Sequence, residues 1–338
     1  MKNLKKISSL VLILCLTLTL ISCGTNRKVS TDSKELEEVD LVLDWYPNAV
    51  HSFIYNAIEK GYYEKEGLKV NVKFPANSSD PLSLTGAGQA TFGIYYPQHL
   101  INAIANENIP VKSVGAIVQS GLNVVISLKE ENITRPKNFT NKTIGYSGDP
   151  LTEAIVKDMV KNDNGNPDSI NLVDIGFDII SSMATKKVNA TTGGMVNHEV
   201  PVMIDKGLDV NYFYPSDYGV PNAYELVFVA NNKTIEEKPE VVEKFMRASK
   251  KGFEDMKNDP QASLKLLLDH QQADSFPLTE AVEKQSMDIL LPKMETENAN
   301  FLSQDSKVWE ENIEWLYNKG FIKKKPSADD VFVNIKAE

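Results

Sequence analysis

After an apolar leader, the hydrophobic positions of the chain fall into two alternating kinds of block. Short continuous or alternating apolar runs read as strands, and runs with apolar residues three and four apart read as helices. Leu41-Val42-Leu43 opens the first unit as a strand. Pro47 forbids its extension, and Asn48 is placed to cap a helix. Phe53, Ile54, Ala57 and Ile58 then recur at helical spacing until Gly61. Strands follow at 69–74, 90–95, 111–118 and 123–128, with helices at 82–84 and from Pro97 to about 106. Such alternation predicts a mostly parallel sheet.

A charged segment at 129–138, containing Pro136, separates this run from a second one. Its strands are expected at 143–146, 170–173, 188–192 and 210–214, and its helices at 151–161, 178–185 and 197–206, with Gly193-Gly194 as a turn before the last helix. Glu225 to Ala230 reads as a further strand after Tyr218-Gly219-Val220-Pro221-Asn222, and the remainder is helical. Two α/β lobes are the simplest reading of 338 residues organised in this way.

Charge and cysteine usage narrow the function. The net charge is −10, which argues against nucleic acid as a partner. Lys2, Lys5 and Lys6 precede a twelve-residue apolar stretch, Leu10 to Ile21, too short to span a bilayer, so residues 1–22 read as a signal peptide. Leu20-Ile21-Ser22-Cys23-Gly24 resembles the bacterial lipobox, which makes Cys23 the lipidated first residue and 23–38 a polar tether. Acyl chains contribute about 0.8 kcal/mol per buried methylene, so the expected address is extracytoplasmic, anchored to the membrane by lipid. The other cysteine, Cys15, lies in the discarded leader. The folded body therefore offers no disulfide, thiolate nucleophile or cysteine metal site.

The turn after the first strand carries the most chemistry. Asp44, Trp45, Tyr46 and Asn48, with His51 close behind, stand at the carboxyl end of a strand, where open α/β sheets bind their ligands. That set suits a flat polar ring better than a phosphate or a metal. Asp44 and Asn48 also fit plain turn and cap roles, and a lone histidine such as His51 is commonly structural. Tyr95 and Tyr96 end another strand, with Tyr95 the candidate for an opposing stacking face. No P-loop, dinucleotide fingerprint, Gly-x-Ser-x-Gly or His-Glu-x-x-His occurs, which points away from an enzyme and from a bound cofactor or metal.

Asp44-Trp45-Tyr46-Pro47-Asn48, His51, Lys60-Gly61-Tyr62-Tyr63 and Glu66-Gly67-Leu68 resemble the opening of the thiamin-pyrimidine-binding proteins. These are substrate-binding subunits of ABC importers and share a fold with yeast thiamin-pyrimidine synthase. Gly193-Gly194-Met195-Val196-Asn197-His198-Glu199 and Tyr218-Gly219-Val220-Pro221 extend the resemblance, although the family more often has an aromatic residue in place of Val196. The resemblance implies the type II periplasmic-binding-protein architecture, with two crossovers and a ligand cleft between the lobes. Lobe I would comprise 39–128 and 225–338, and lobe II 129–224. It implies an aminopyrimidine precursor of thiamin as ligand, stacked on Trp45, paired to Glu199 with Asn197 beside it, and delivered by a monomer to a permease. Riboflavin and sulfonate or nitrate, the ligands of related binders, are the alternatives. The synthase's cysteine-rich active-site motif has no counterpart in this body.

Overall fold

The computed structural model describes residues 35–271 and 277–336. The predicted leader, Cys23 and most of the tether lie outside the described residues. Among the described residues no helix is long and apolar enough to cross a membrane.

Ten strands form two five-stranded sheets: β1 (Glu37–Val42), β2 (Leu68–Lys73), β3 (Phe92–Tyr95), β4 (Val111–Ala116), β5 (Asn123–Leu128), β6 (Thr143–Tyr146), β7 (Asn171–Asp174), β8 (Ala190–Met195), β9 (Val210–Phe213) and β10 (Val227–Asn231). The first sheet has the order β2-β1-β3-β10-β4 and the second β7-β6-β8-β5-β9. The two orders are the same pattern. In each, three parallel strands are followed by one antiparallel strand, β10 in the first sheet and β5 in the second. That strand also carries the outer strand of its sheet, β4 or β9.

The placement of β5 departs from the sequence expectation. The sequence places residues 123–128 with the first run, but they pair with β8 and β9 in the second sheet. The chain crosses between sheets at 117–122, before this strand, and the charged segment at 129–138 lies within the second sheet's half. Pattern alone could not show this, because Val124 to Leu128 is a buried run, apolar except for Ser127, that suits the middle of either sheet. The glycine pair also behaves differently from expectation. Gly193 and Gly194 lie inside β8, where one extra residue bulges opposite β5. Gly193 has φ +91°, and a Cβ on Gly194 would lie 2.5 Å from the Ile126 side chain.

Helix α1 (Ser52–Glu59) follows the turn after β1. The other helices used below are α2 (Pro97–Asn102), α3 (Pro150–Asn162), α4 (Ile179–Ala184), α5 (Glu199–Asp205), α6 (Pro239–Asn258), α7 (Pro260–Asp269) and α8 (Glu280–Met294). Apolar residues of α6 cover the first sheet, with Phe245 stacked 4.1 Å from Phe92 and 5.3 Å from Tyr63. The contact of α6 with α1 needs Gly252, whose added Cβ would meet the Phe53 carbonyl at 2.1 Å. Asn56 of α1 then donates to Gly252 O and to Ser263 of α7. This packing holds the start of α1, and with it the polar-aromatic turn.

Candidate ligand-binding site

A cavity of about 240 Å³ opens where the carboxyl ends of β1, β2 and β3 face those of β6, β7 and β8. Both crossovers, through Gly121 and 220–225, complete its wall. In open α/β sheets this is where the strand ends leave a crevice that neither sheet can fill.

From the first sheet, Asp44, Trp45, Tyr95 and Tyr96 reach the cavity. Asp44 is buried and held from two sides. His51 Nε2 lies 3.0 Å from Oδ1, and the Tyr96 hydroxyl donates to Oδ2 at 3.3 Å. The Asn48 N–H donates to His51 Nδ1, which leaves Nε2 to donate to Asp44. Asn48 in turn accepts the Val50 N–H through its side chain. Asn48 and His51 do not line the cavity; they cap the helix start and orient Asp44. Trp45 is half-buried, and Tyr95 is buried with its hydroxyl pKa raised chiefly by that burial.

Asn197 and Glu199 also stand outside the lining. The Asn197 side-chain NH₂ donates to Ser286 Oγ of α8 at 3.0 Å, while its carbonyl oxygen is buried without a partner among the described residues. Glu199 accepts the Met195 N–H at 2.8 Å and sits 2.9 Å from His198 Nδ1. The other nitrogen of His198 is 3.2 Å from Glu283 of α8, and Glu283 accepts the Ala49 N–H at 2.7 Å. A buried carboxylate–imidazolium–carboxylate chain thus ties the end of β8 to α8 and to the turn that carries Asp44. Burial opposes the charge on His198, but Glu199 and Glu283 outweigh it and raise its pKa to about 10. Burial likewise opposes the charge on Glu199, and the His198 charge with its hydrogen bond more than offsets it, so this carboxyl is lowered.

Two further carboxylates line the cavity with Asp44: the half-buried Asp149 and the buried Glu225. Glu225 was legible only as the first residue of an expected strand. Its pKa is raised, by burial above all and then by the Asp44 charge, against the N–H groups of Leu122 and Asn123 that it accepts. No lysine or arginine lines the cavity among the described residues, and its one histidine, His99, is 3.0 Å from Asp149.

Two contacts cross from sheet to sheet at the cavity edge. Phe177, in the loop between β7 and α4, packs perpendicular to Trp45 with centroids 4.2 Å apart and touches Tyr46 at 5.5 Å. His99 of α2 meets Asp149, the N-cap of α3, whose side chain also accepts the Thr152 N–H. Burial works against the Asp149 charge, but His99 and Thr152 hold its carboxyl well below the usual range. Neither Phe177 nor His99 carried a local signal, since each gains meaning only from a partner on the other sheet.

A family model described as NMT1/THI5 like matches residues 48–263. The chain is 42% identical over 335 residues to a formylaminopyrimidine-binding protein of Halalkalibacterium halodurans, covering 99% of each. It is 26% identical over 232 residues to a 4-amino-5-hydroxymethyl-2-methylpyrimidine phosphate synthase of Legionella pneumophila, covering 68% of this chain and 72% of that one. Among solved structures, the alkanesulfonate-binding protein of Xanthomonas axonopodis bound to MOPS superposes with a TM-score of 0.69 at 12% identity, covering 89% of this chain and 99% of that one. That likeness concerns the fold. With the matching pair of five-stranded sheets, the architecture is the two-lobed type II periplasmic-binding-protein fold expected from the sequence.

Proposed function

The chain belongs to the NMT1/THI5-like family, and on that premise we propose that it is the lipid-anchored substrate-binding subunit of an ABC importer, taking a thiamin-precursor aminopyrimidine such as formylaminopyrimidine into its cleft. The observation that carries this reading is the character of the cavity wall. Aromatic side chains and two buried carboxylates converge on it, without a lysine or arginine among the described residues. A small ring bearing hydrogen-bond donors satisfies such a wall, and an anion does not. A sulfonate or nitrate is therefore disfavoured. At about 240 Å³ the cavity is below the roughly 300–1,000 Å³ of pockets for drug-sized ligands, which disfavours the tricyclic ring and side chain of riboflavin.

In this reading the two sheets with their helices are the lobes, and the first crossing falls at 117–122. Trp45 and Tyr95 offer faces to the ring, and Asp44 offers a carboxylate oriented by His51 and Tyr96. Asn48, His51, Asn197 and Glu199 act on the ligand through the residues they hold. A binding role suits this body better than the relatives' synthase chemistry, because its cysteines are confined to positions 15 and 23.

Isothermal titration with formylaminopyrimidine, the 4-amino-5-hydroxymethyl pyrimidine, riboflavin and an alkanesulfonate tests the reading. A dissociation constant of about 1 μM or tighter is expected for the pyrimidines, about −8 kcal/mol. Trp45→Ala should weaken it by about tenfold, the upper end of one aromatic contact. Saturation by riboflavin or a sulfonate alone would overturn the ligand assignment.

A further inference from the structure

Glu225 stands where the two crossovers meet. Its N–H donates to Val118 O at 3.0 Å, and the N–H groups of Ile117 and Val118 both reach Leu226 O, at 2.8 and 3.2 Å. The outgoing and returning chains are thus laced together over a few residues. The Glu225 side chain extends the lacing, since Oε2 accepts the N–H of Leu122 and, at 2.8 Å, that of Asn123. An sp² oxygen has two lone pairs, and here both are occupied. Oε1 has no protein partner among the described residues, although the residue is 6% exposed and lines the cavity. Asp44 differs, because each of its oxygens already meets a protein donor.

We propose that Glu225 is the specificity-determining carboxyl of the site, and that its Oε1 accepts from the exocyclic amino group of the aminopyrimidine. The assignment rests on the function proposed above and adds to it the group that reads the ligand. A buried carboxyl with one free oxygen is left unsatisfied by a ring lacking a matching donor, and a site built in this way rejects the analogue strongly. Because Oε2 is spent on the crossovers, the contact is made by one oxygen, in contrast to a two-pronged clamp. The same carboxyl joins ligand to both crossovers, so the group that recognises the amine also sits on the segments about which the sheets would move.

The test compares formylaminopyrimidine with its 4-hydrogen counterpart, which lacks the amino group, by calorimetry, on the wild-type protein and on Glu225→Gln. The amide oxygen of glutamine can keep accepting from Leu122 and Asn123, so the melting temperature should hold. Its NH₂ then replaces the acceptor at Oε1. The wild-type protein should prefer the 4-amino ligand by about 10–100-fold, the range of one charge-assisted bond. Glu225→Gln should weaken that ligand by a similar factor and erase the preference. If Glu225→Gln binds the 4-amino ligand within about threefold of wild type, the proposal is overturned. Should the variant not fold, the ligand pair on wild type still decides: equal affinity for the two rings overturns it, and loss of the 4-hydrogen ligand supports it. Failure of the wild-type protein to bind any aminopyrimidine would instead overturn the proposed function, and this inference with it.

Discussion

Glu199 and Glu225 are equally buried, each 6% exposed, yet their carboxyls shift in opposite directions. Glu199 begins a helix beside His198, and Glu283 closes the other side of that imidazole. Glu225 has two backbone N–H groups, a neighbouring Asp44 charge and an open oxygen. Burial is thus not what separates a structural carboxylate from a receptive one. The difference is whether the fold has bonded a counter-charge to the group: His198 is bonded to Glu199, whereas Lys293 acts on Glu225 only through space. Where it has, the group spends its charge inside the protein. Where it has not, the group stays under tension until something else arrives.

The largest effect should come from breaking the paired side of this comparison. His198→Ala leaves Glu199 and Glu283 buried with no cation between them. Removing one partner of a buried pair costs about 3–5 kcal/mol, so the urea midpoint should fall clearly. Glu225→Gln should leave the midpoint unchanged or raise it, because it removes a buried charge that has no cation bonded to it. A loss for Glu225→Gln as large as for His198→Ala would erase the distinction.

The pH profile of stability sharpens the same contrast at a somewhat smaller scale. His198 has a folded pKa raised to about 10 from 6.5, so its contribution is complete below about pH 6.5 and is lost as pH rises through about 10. Glu199 is lowered from 4.5, so its contribution is present above that value and fades as pH falls through the lowered one. Glu225 is raised from 4.5 and runs the other way: its contribution is present at low pH and lost as pH rises. Thermal melts from pH 4 to 10.5 should show a shallow decline beginning above about pH 4.5, which is absent in Glu225→Gln, and a further alkaline decline above about pH 6.5. That alkaline decline should shrink in His198→Gln and persist in Glu225→Gln. An unchanged alkaline limb in His198→Gln would mean that the buried chain does not carry the charge assigned to it.

The sequence displayed the paired side of the comparison far better than the open one. Gly193 to Glu199 is a compact run of unusual residues, and Asp44 to His51 is another, so both were visible as places where something happens. Their roles were not visible, because they depend on Ser286 and Glu283 of α8, more than eighty residues away. Asn48 and His51 look like ligand groups when listed beside Trp45; only the bond from Asn48 N–H to His51 Nδ1 shows that they face each other. Glu225 sits in an ordinary strand-forming stretch, and nothing local marks it until Leu122 and Asn123 are brought against it. The parallel runs were legible from periodicity. The return of residues 225–230 to the first sheet was expected, but the move of β5 to the second was not, because a buried strand carries the same apolar pattern in either sheet.

The smallest expected effect belongs to a contact between the sheets that involves no charge. Phe177 packs edgewise on Trp45 and Tyr46 from the other side of the cavity, a contribution of about 0.5–1.5 kcal/mol beyond area burial. If ligand selection lies with the crossover carboxyl, then Phe177 should govern how long the cleft stays shut and have little say in what it holds. Phe177→Ala is therefore expected to speed ligand release by about 2–10-fold, the rate equivalent of that contribution, in stopped-flow Trp fluorescence. The preference for the 4-amino over the 4-hydrogen ring should be unchanged in this variant, since Trp45 and Glu225 are untouched. A Phe177→Ala protein that releases ligand at the wild-type rate but loses the preference would place selectivity at the aromatic edge and take it away from the carboxyl.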